Sequence, residues 1–346
     1  MLFTPKNLVG VDIGSYSVKV VSLEGAKGAY SLKAAACFKL PRESDLPGVS
    51  PGFLSEMIRS QGIKGRKAAA LMSGPSLIFK HLHLPMMPEK DLKEAVKWEV
   101  RKDLAISVSA NDLITDYVIA GKGRTAENVN SIIAFAAVRA DVDKVISLFK
   151  GAGLELRVLD VVPSALLASF DMNNAWEEGV NYAMFDIGET RSTLAILKDK
   201  KLSFAREISM GGVDLTARLA SGMEKSEEES EEYKIAFGLT LDHGEEDNPA
   251  RKLLASSIER LCSELQRSFD YFQAQFREGS VSKVFLSGGT ARLKGIEASM
   301  TEIMGIPCFI DDPLRAIKIP RSFDTKTLND IAPCLTVAAG LSARTY

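Results

Sequence analysis

LVGVDIGSYSVKVVSLEG, residues 8–25, reads as a strand, a sharp polar turn and a second strand. Val9, Val11 and Ile13 alternate before the turn, and Val18, Val20 and Leu23 supply apolar positions after it, so both arms can face a core. Gly14 permits close backbone approach, Ser15 and Ser17 add hydroxyls near free N–H groups, and Lys19 adds a cation. Together these can hold a phosphate. Asp12, at the end of the buried arm, suits a hydrated Mg²⁺, which keeps several waters and takes few carboxylates. The same residues also serve an ordinary hairpin, with Asp and Ser making turn hydrogen bonds.

A second stretch separates these readings. YAMFDIGETRSTLAILK, residues 182–198, repeats the apolar strand, the Asp-Ile-Gly, the polar turn and the second apolar strand. Asp186 and Gly188 stand where Asp12 and Gly14 stand in the first copy. Two halves, each offering a carboxylate and a Gly turn, indicate an internal duplication with a shared site between them. Metal and phosphate would sit in that cleft.

The chain has 346 residues, too many for one compact core, and 46% hydrophobic with 25% charged residues is the balance of a water-soluble globular protein. A net charge of -2 gives no basic face, so nucleic acid is not an expected partner. Strand-like sequence begins by Leu8, which leaves no room for a signal peptide, and no apolar run is long enough to span a bilayer. A cytoplasmic location is expected. Cys37, Cys262, Cys308 and Cys334 form no paired motif and read as reduced core residues, and His81-Leu-His83, with no third ligand in view, reads as a partly exposed strand face.

Further along, Tyr30 to Leu40 continues the first hairpin as a third strand, 41–51 is a Pro-rich loop, and a helix at Gly52 to Gln61 precedes a strand at Arg66 to Met72. A different character begins near Leu77. Strands at Leu77 to Leu84, Leu113 to Ala120 and Ser131 to Val138, with helices at Glu89 to Lys102 and Asp141 to Lys150, form a small inserted unit. Met86, Met87 and Trp98 there are either core or an adaptable partner surface, and the core reading is preferred. Leu154 to Val162 is a strand leading to a short helix, Ser164 to Phe170. Gly211-Gly212 opens a helix at Val213 to Ala220, where backbone N–H groups could meet phosphate or sugar oxygens. The charge run Glu224 to Glu232 reads by default as solvated. A helix capped by Asn248-Pro249 runs to Phe276 on an apolar stripe. Val281 to Thr290 delivers Ser287-Gly288-Gly289-Thr290 to a helix from about Ala291 to Met304, and the last helix spans about Ile331 to Arg344.

This order of elements resembles the actin-like ATPase superfamily. Within it, VGVDIGSYSVKVVSLEG, LDVVPSALLASF, MFDIGETRSTLAIL, SMGGVDL, SEEYK, VFLSGGTARLKGIE and APCLTVAAGLSAR are most similar to the PilM family of cytoplasmic type IV pilus assembly proteins. KDLKEAVKWEVRKDLAISVSANDLITDYVI resembles that family's inserted subdomain, although the Pro-Phe expected near Ala105-Ile106 is absent. The end at Tyr346, directly after the last helix, favours this family over FtsA-like filament proteins, which continue to a membrane-binding tail. A small-molecule kinase on the same fold would need a general base beside its acceptor, and no motif supplies one.

The resemblance implies an α/β, actin-like (ribonuclease H-like) duplicated fold, with two domains around a nucleotide cleft and a small inserted α+β subdomain. Residues 1–76 would begin the first domain, 77–153 form the insert, and 154–178 close the domain with a linking helix. Residues 179–330 would form the second domain, helical at about 213–277, and 331–346 return to the first. It also implies ATP with Mg²⁺. Asp12 and Asp186 would face the metal through water, and Gly14, Ser15, Ser17, Lys19 and Gly188 would hold phosphates. Gly211, Gly212, Gly288 and Gly289 would border ribose and adenine, and Glu231 and Lys234, in SEEYK, would lie near the adenosine.

Many actin-like enzymes place a Gln or Glu near the linking helix after the first domain to orient the attacking water. Here the position is Val162, so weak or absent turnover is expected. The implied partner is the cytoplasmic N-terminal segment of the inner-membrane protein PilN, held beside the insert. Other pilus inner-membrane and motor components follow, with membrane contact only through partners and self-association left open.

Overall fold

The computed structural model describes residues 8–40, 49–74, 77–102, 112–123, 128–240, 248–276 and 279–345. Most of the loop expected at 41–51, the Ala105-Ile106 position and Tyr346 lie outside them. The chain opens with an antiparallel meander, β1 (Val9–Ile13), β2 (Ser17–Glu24) and β3 (Ser31–Lys39). Helix α1 (Pro51–Ser60), capped by the Ser50 hydroxyl, leads to β4 (Lys67–Leu71), which pairs parallel to β1. After the insert, β8 (Glu155–Asp160) pairs parallel to β4, giving a sheet of order β3-β2-β1-β4-β8. The central strands are apolar almost without interruption because helices cover both faces.

The second half repeats this plan. Strands β9 (Asn181–Ile187), β10 (Ser192–Lys198) and β11 (Lys201–Ile208) form the meander, and β12 (Val281–Ser287) and β13 (Cys308–Ile310) add in parallel, in the order β11-β10-β9-β12-β13. Where the first half has only α1, the second carries α5 (Gly212–Met223), α6 (Glu227–Phe237) and α7 (Pro249–Phe276). Asn248 caps α7, and Leu254, Ile258, Leu261, Leu265, Phe269 and Phe272 along it are buried. Two expected helices differ. A 3-10 turn at Thr290–Arg292 is separated from α8 (Ile296–Met304) by Gly295 at φ +82°, a left-handed residue that stops one helix running from Ala291. The last helix, α9 (Thr325–Ser342), begins earlier than Ile331 because Asp324 caps it.

The insert is a three-stranded antiparallel sheet, β5 (Ile78–Pro85), β7 (Val129–Val138) and β6 (Leu113–Gly123), in the order β5-β7-β6, with α2 (Glu89–Lys102) on one face and α3 (Arg139–Gly151) following β7. Its other face packs toward β11. His81 stacks on Phe204 with ring centroids 4.6 Å apart, and its Nε2 donates to the Ala205 carbonyl at 2.8 Å. Trp98 and Met86 are 61% and 51% exposed, against the expectation that they are core: α2 buries Leu92, Val96 and Val100 instead, which turns Trp98 to solvent.

Two helices cross between the halves. Helix α4 (Val162–Asn173) follows the first sheet yet packs on β10 and β11 of the second, and α9 follows the second sheet yet packs on β1, β2 and β3 of the first. They meet at small residues. A Cβ on Gly340 would stand 1.9 Å from the Ala165 carbonyl oxygen, so only glycine permits this approach.

Candidate functional site

The two hairpin turns have the same internal geometry. Gly14 N–H donates to the Ser17 carbonyl at 3.0 Å, and Gly188 N–H donates to the Arg191 carbonyl at 3.0 Å. Each turn follows an Asp at the end of a central strand. In the first hairpin Asp12 pairs in register with Lys19, whose Nζ is 3.1 Å from Asp12 Oδ2. In the second hairpin Asp186 pairs in register with Thr193, so the duplicated site has two carboxylates and one lysine. The turns face each other across a cleft, with the Ser15 and Thr190 hydroxyls 3.5 Å apart.

The charges interact across this gap. Burial works against the Lys19 ammonium, yet Asp12 and then Asp186 hold its pKa above the ordinary lysine range. Burial first, and then the Asp12 charge, push the Asp186 carboxyl up to about 6, against the pull of Lys19 and of the Ser287 hydroxyl, which donates to Oδ1 at 2.9 Å. A fully buried carboxylate held up by a second one is relieved by an added cation. Among the described residues there is no group of three or more His, Cys, Asp or Glu able to hold a metal ion. Two carboxylates with neighbouring hydroxyls and room for water suit Mg²⁺, which keeps most of its water shell.

The cleft has a volume of about 1380 Å³, and Asp12, Gly14, Ser15, Ser17, Lys19, Asp186, Gly188, Glu231, Lys234 and Gly289 all line it. Gly211, Gly212 and Gly288 lie behind that wall. The N–H groups at the start of α5, which the sequence reading offered to a ligand, are engaged within the protein: Gly212 N–H donates to the Gly188 carbonyl at 2.9 Å and Val213 N–H to the Glu189 carbonyl at 2.8 Å. These glycines serve close packing, because a Cβ on Gly212 would meet Thr290 Oγ1 at 2.6 Å and one on Gly211 the Glu189 carbonyl oxygen at 2.5 Å. Gly288, at φ +90°, lets its N–H reach the Pro333 carbonyl of α9 at 2.8 Å.

The acidic run at 224–232 divides. Glu227, Glu228, Glu229 and Glu232 are solvated, and Glu229 and Ser226 form a capping box. Glu231 and Lys234 turn inward. Lys234 Nζ is 2.6 Å from Glu231 Oε2 and also donates to the Gly212 carbonyl at 3.0 Å and to Thr216 Oγ1 at 2.8 Å. The Thr216 hydroxyl in turn donates to Glu231 at 2.5 Å.

Sequence reasoning missed Thr190, Glu189, Arg191 and Glu207 on the cleft wall, where Arg191 pairs with Glu207 at 2.9 Å. Placing the second hairpin turn by turn on the first would have found the first three. It also missed Thr290, whose hydroxyl donates to the Gly188 carbonyl at 3.0 Å. Asp160, at the end of β8, is not on the cleft wall: Oδ2 lies 2.8 Å from Arg344 Nε, and Oδ1 accepts from the Val161 N–H at 2.9 Å.

A model of the family described as type IV pilus assembly protein PilM matches residues 10–346. The chain belongs to the PilM family. Solved structures agree on the fold. This PilM family member matches the structure described as the PilM-PilN type IV pilus biogenesis complex with a TM-score of 0.82 and 24% identity, over 97% of both chains. The ethanolamine utilization protein EutJ from Carboxydothermus hydrogenoformans matches at TM-score 0.56 and 17% identity, over 98% of this chain and 90% of that one. MreB 5 of Spiroplasma citri bound to AMPPNP matches at 0.51 and 12%, over 97% and 94%. The architecture is thus the actin-like, two-domain fold that the family resemblance implied. Among the described residues no helix is long and apolar enough to cross a membrane.

Proposed function

We propose that this PilM family member binds ATP with Mg²⁺ between its halves, turns it over slowly or not at all, and uses nucleotide-dependent closure to set its affinity for the cytoplasmic N-terminal segment of PilN. The observation that carries this reading is the convergence of Asp12, Lys19 and Asp186, from two copies of one hairpin, on a single cleft. Lys19 and the Ser15 and Ser17 hydroxyls meet phosphate oxygens, while Asp12 and Asp186 orient the water shell of the ion. Mg²⁺ itself would offset phosphate charge. Glu231 and Lys234 lie near the adenosine and fix the start of α5. Support comes from the shared fold of MreB 5, described with AMPPNP bound.

Slow turnover follows from what lies beside α4. Phosphoryl transfer to water depends on positioning that water. Val162 lines the cleft with no polar atom in its side chain, and the Asp160 carboxylate is engaged by Arg344. A nucleotide can then shift the balance of open and closed states only through unequal affinity for them, which places its role in partner binding. PilN enters because the similar solved structure is described as a PilM-PilN complex. Met86 and Trp98 expose apolar surface on the insert and supply contact area there. We place the protein at the cytoplasmic face of the inner membrane, held by that partner.

The test is a peptide of the PilN N-terminal segment, titrated into the full chain with and without Mg-ATP. Binding whose affinity changes with nucleotide is expected. No binding in either state rejects the scaffold role.

A further inference from the structure

The four cysteines occupy two kinds of place. Cys262 on α7 and Cys308 on β13 are buried in the second half's core, with Cys308 reaching the cleft wall, and burial pushes their thiols up to about 12 and about 11. Cys37 on β3 and Cys334 on α9 both line the cleft, on two elements that pack against each other, and each thiol has the other as a side-chain neighbour. Cys37 is only partly buried and pairs in register with Lys19, the lysine that faces both aspartates. A close thiol pair, open to solvent through a cleft and set beside a cation, is the arrangement in which a thiolate reacts and a second sulfur resolves it.

We propose that Cys37 and Cys334 form a dithiol site that peroxide oxidises to an intramolecular disulfide, stapling β3 to α9 on the cleft wall. The Cys37 thiolate attacks hydrogen peroxide, breaking the O–O bond and giving a Cys37 sulfenic acid and hydroxide, which takes up a proton to become water. The Cys334 sulfur then attacks the Cys37 sulfur, its own proton leaving with the sulfenic hydroxyl as a second water. Two thiols and one peroxide give one disulfide and two waters, and a dithiol reductant reverses the bond. The surroundings favour the first step. The Cys334 S–H and the Ser17 hydroxyl bond to Cys37 and, against the effect of burial, lower its pKa, with the Lys19 charge adding to this.

The staple has a mechanical consequence. The residue before Cys334, Pro333, accepts from Gly288 N–H of the second sheet, and Thr336 one turn later donates to Asp311 at 2.7 Å. A covalent bond at Cys334 would therefore fix the edge of the first sheet to the point where α9 holds the second. Restraint of a nucleotide-driven closure, and protection of Cys37 by bound nucleotide, rest on the reading above. The disulfide itself does not.

The experiment takes the full chain, reduced and then freed of reductant, treats it with hydrogen peroxide, blocks remaining thiols with N-ethylmaleimide under denaturing conditions and maps peptides without reduction. A Cys37–Cys334 link within one chain is expected, forming at least ~10-fold faster than any loss of Cys262 or Cys308. In Cys334→Ala the Cys37 sulfenic acid should persist long enough for dimedone to trap it. Cys37 and Cys334 remaining alkylatable, or disappearing no faster than Cys262 and Cys308, would overturn the proposal, and this wild-type map decides even if the variant fails to fold. Repeating the oxidation with Mg-AMPPNP should slow the link. Calorimetry on the reduced protein separates the two readings: binding without slowing refutes coupling of the staple to the cleft, whereas absent binding refutes the nucleotide reading and leaves the dithiol to stand or fall on its map.

Discussion

Replacing Lys234 with Met tests whether the Glu231–Lys234 pair is a structural element of the site or a surface decoration. The Lys234 and Glu231 side chains are only 7% and 11% exposed, and the ammonium serves the Glu231 carboxylate, the Gly212 carbonyl and the Thr216 hydroxyl at once. Removing it takes the counter-charge from a buried carboxylate and a donor from the first turn of α5, which costs about 3–5 kcal/mol. A solvated pair at the same helical spacing would cost about 0–1 kcal/mol. A chain of this size need not unfold in one step, so the loss should be read locally, as the free energy of opening for the slowest-exchanging amides of α5 and α6. The double change Glu231→Gln with Lys234→Met removes both charges and should recover most of the loss. A single change costing under ~1 kcal/mol, or a double change that costs the sum of the two, would refute the reasoning.

Three further outcomes are expected. Asp311 is buried and its pKa is pushed up to about 6 by burial, so between about pH 4 and 6 the folded state holds a proton that the unfolded chain has lost, and stability falls as pH rises through that window. Asp311→Asn, which can still accept from Thr336, should gain up to about 3 kcal/mol at pH 7 and little at pH 4, read as the free energy of opening for the slowest-exchanging amides of β12 and α9, corrected for intrinsic rate. Gly340→Ala would gain about 1 kcal/mol of helix propensity, yet its Cβ would meet the Ala165 carbonyl oxygen at 1.9 Å, so a net loss of about 1–3 kcal/mol should appear in the same assay. His81, its pKa lowered by burial against Phe204, favours docking of the insert while neutral. Exchange at β5 and β11, corrected for intrinsic rate, should therefore quicken as pH falls below about 6.5, and His81→Phe should remove that dependence.

Much of the fold was legible because each hairpin carries its own signal: alternating apolar residues, an Asp at the strand end and a Gly that the turn requires. Two such signals in one chain gave the duplication, and with it the meeting of Asp12 and Asp186. Local pattern did less well where partners are distant in sequence. The acidic run around Glu231 looked solvated because only the packing of α5 against α6 buries one face of it. The Gly212 and Val213 N–H groups looked available because their acceptors, the Gly188 and Glu189 carbonyls, come from the other end of the meander. Trp98 looked like core by residue type, while Leu92, Val96 and Val100 had already set the inward face of α2. Cys37 and Cys334 lie almost a chain length apart, and nothing in the spacing of either shows that they meet.

The central claim is that the two hairpins hold a magnesium nucleotide together. Isothermal calorimetry of Mg-ATP into the wild-type chain, Asp12→Asn and Asp186→Asn tests it most directly, since Asn at 186 can still accept from Ser287 and keep the turn in place. We predict one saturable, magnesium-dependent site in the wild type, weakened at least ~10-fold by either substitution, about 1.4 kcal/mol. No heat of binding in the wild type, or an affinity indifferent to magnesium and to both substitutions, would contradict it.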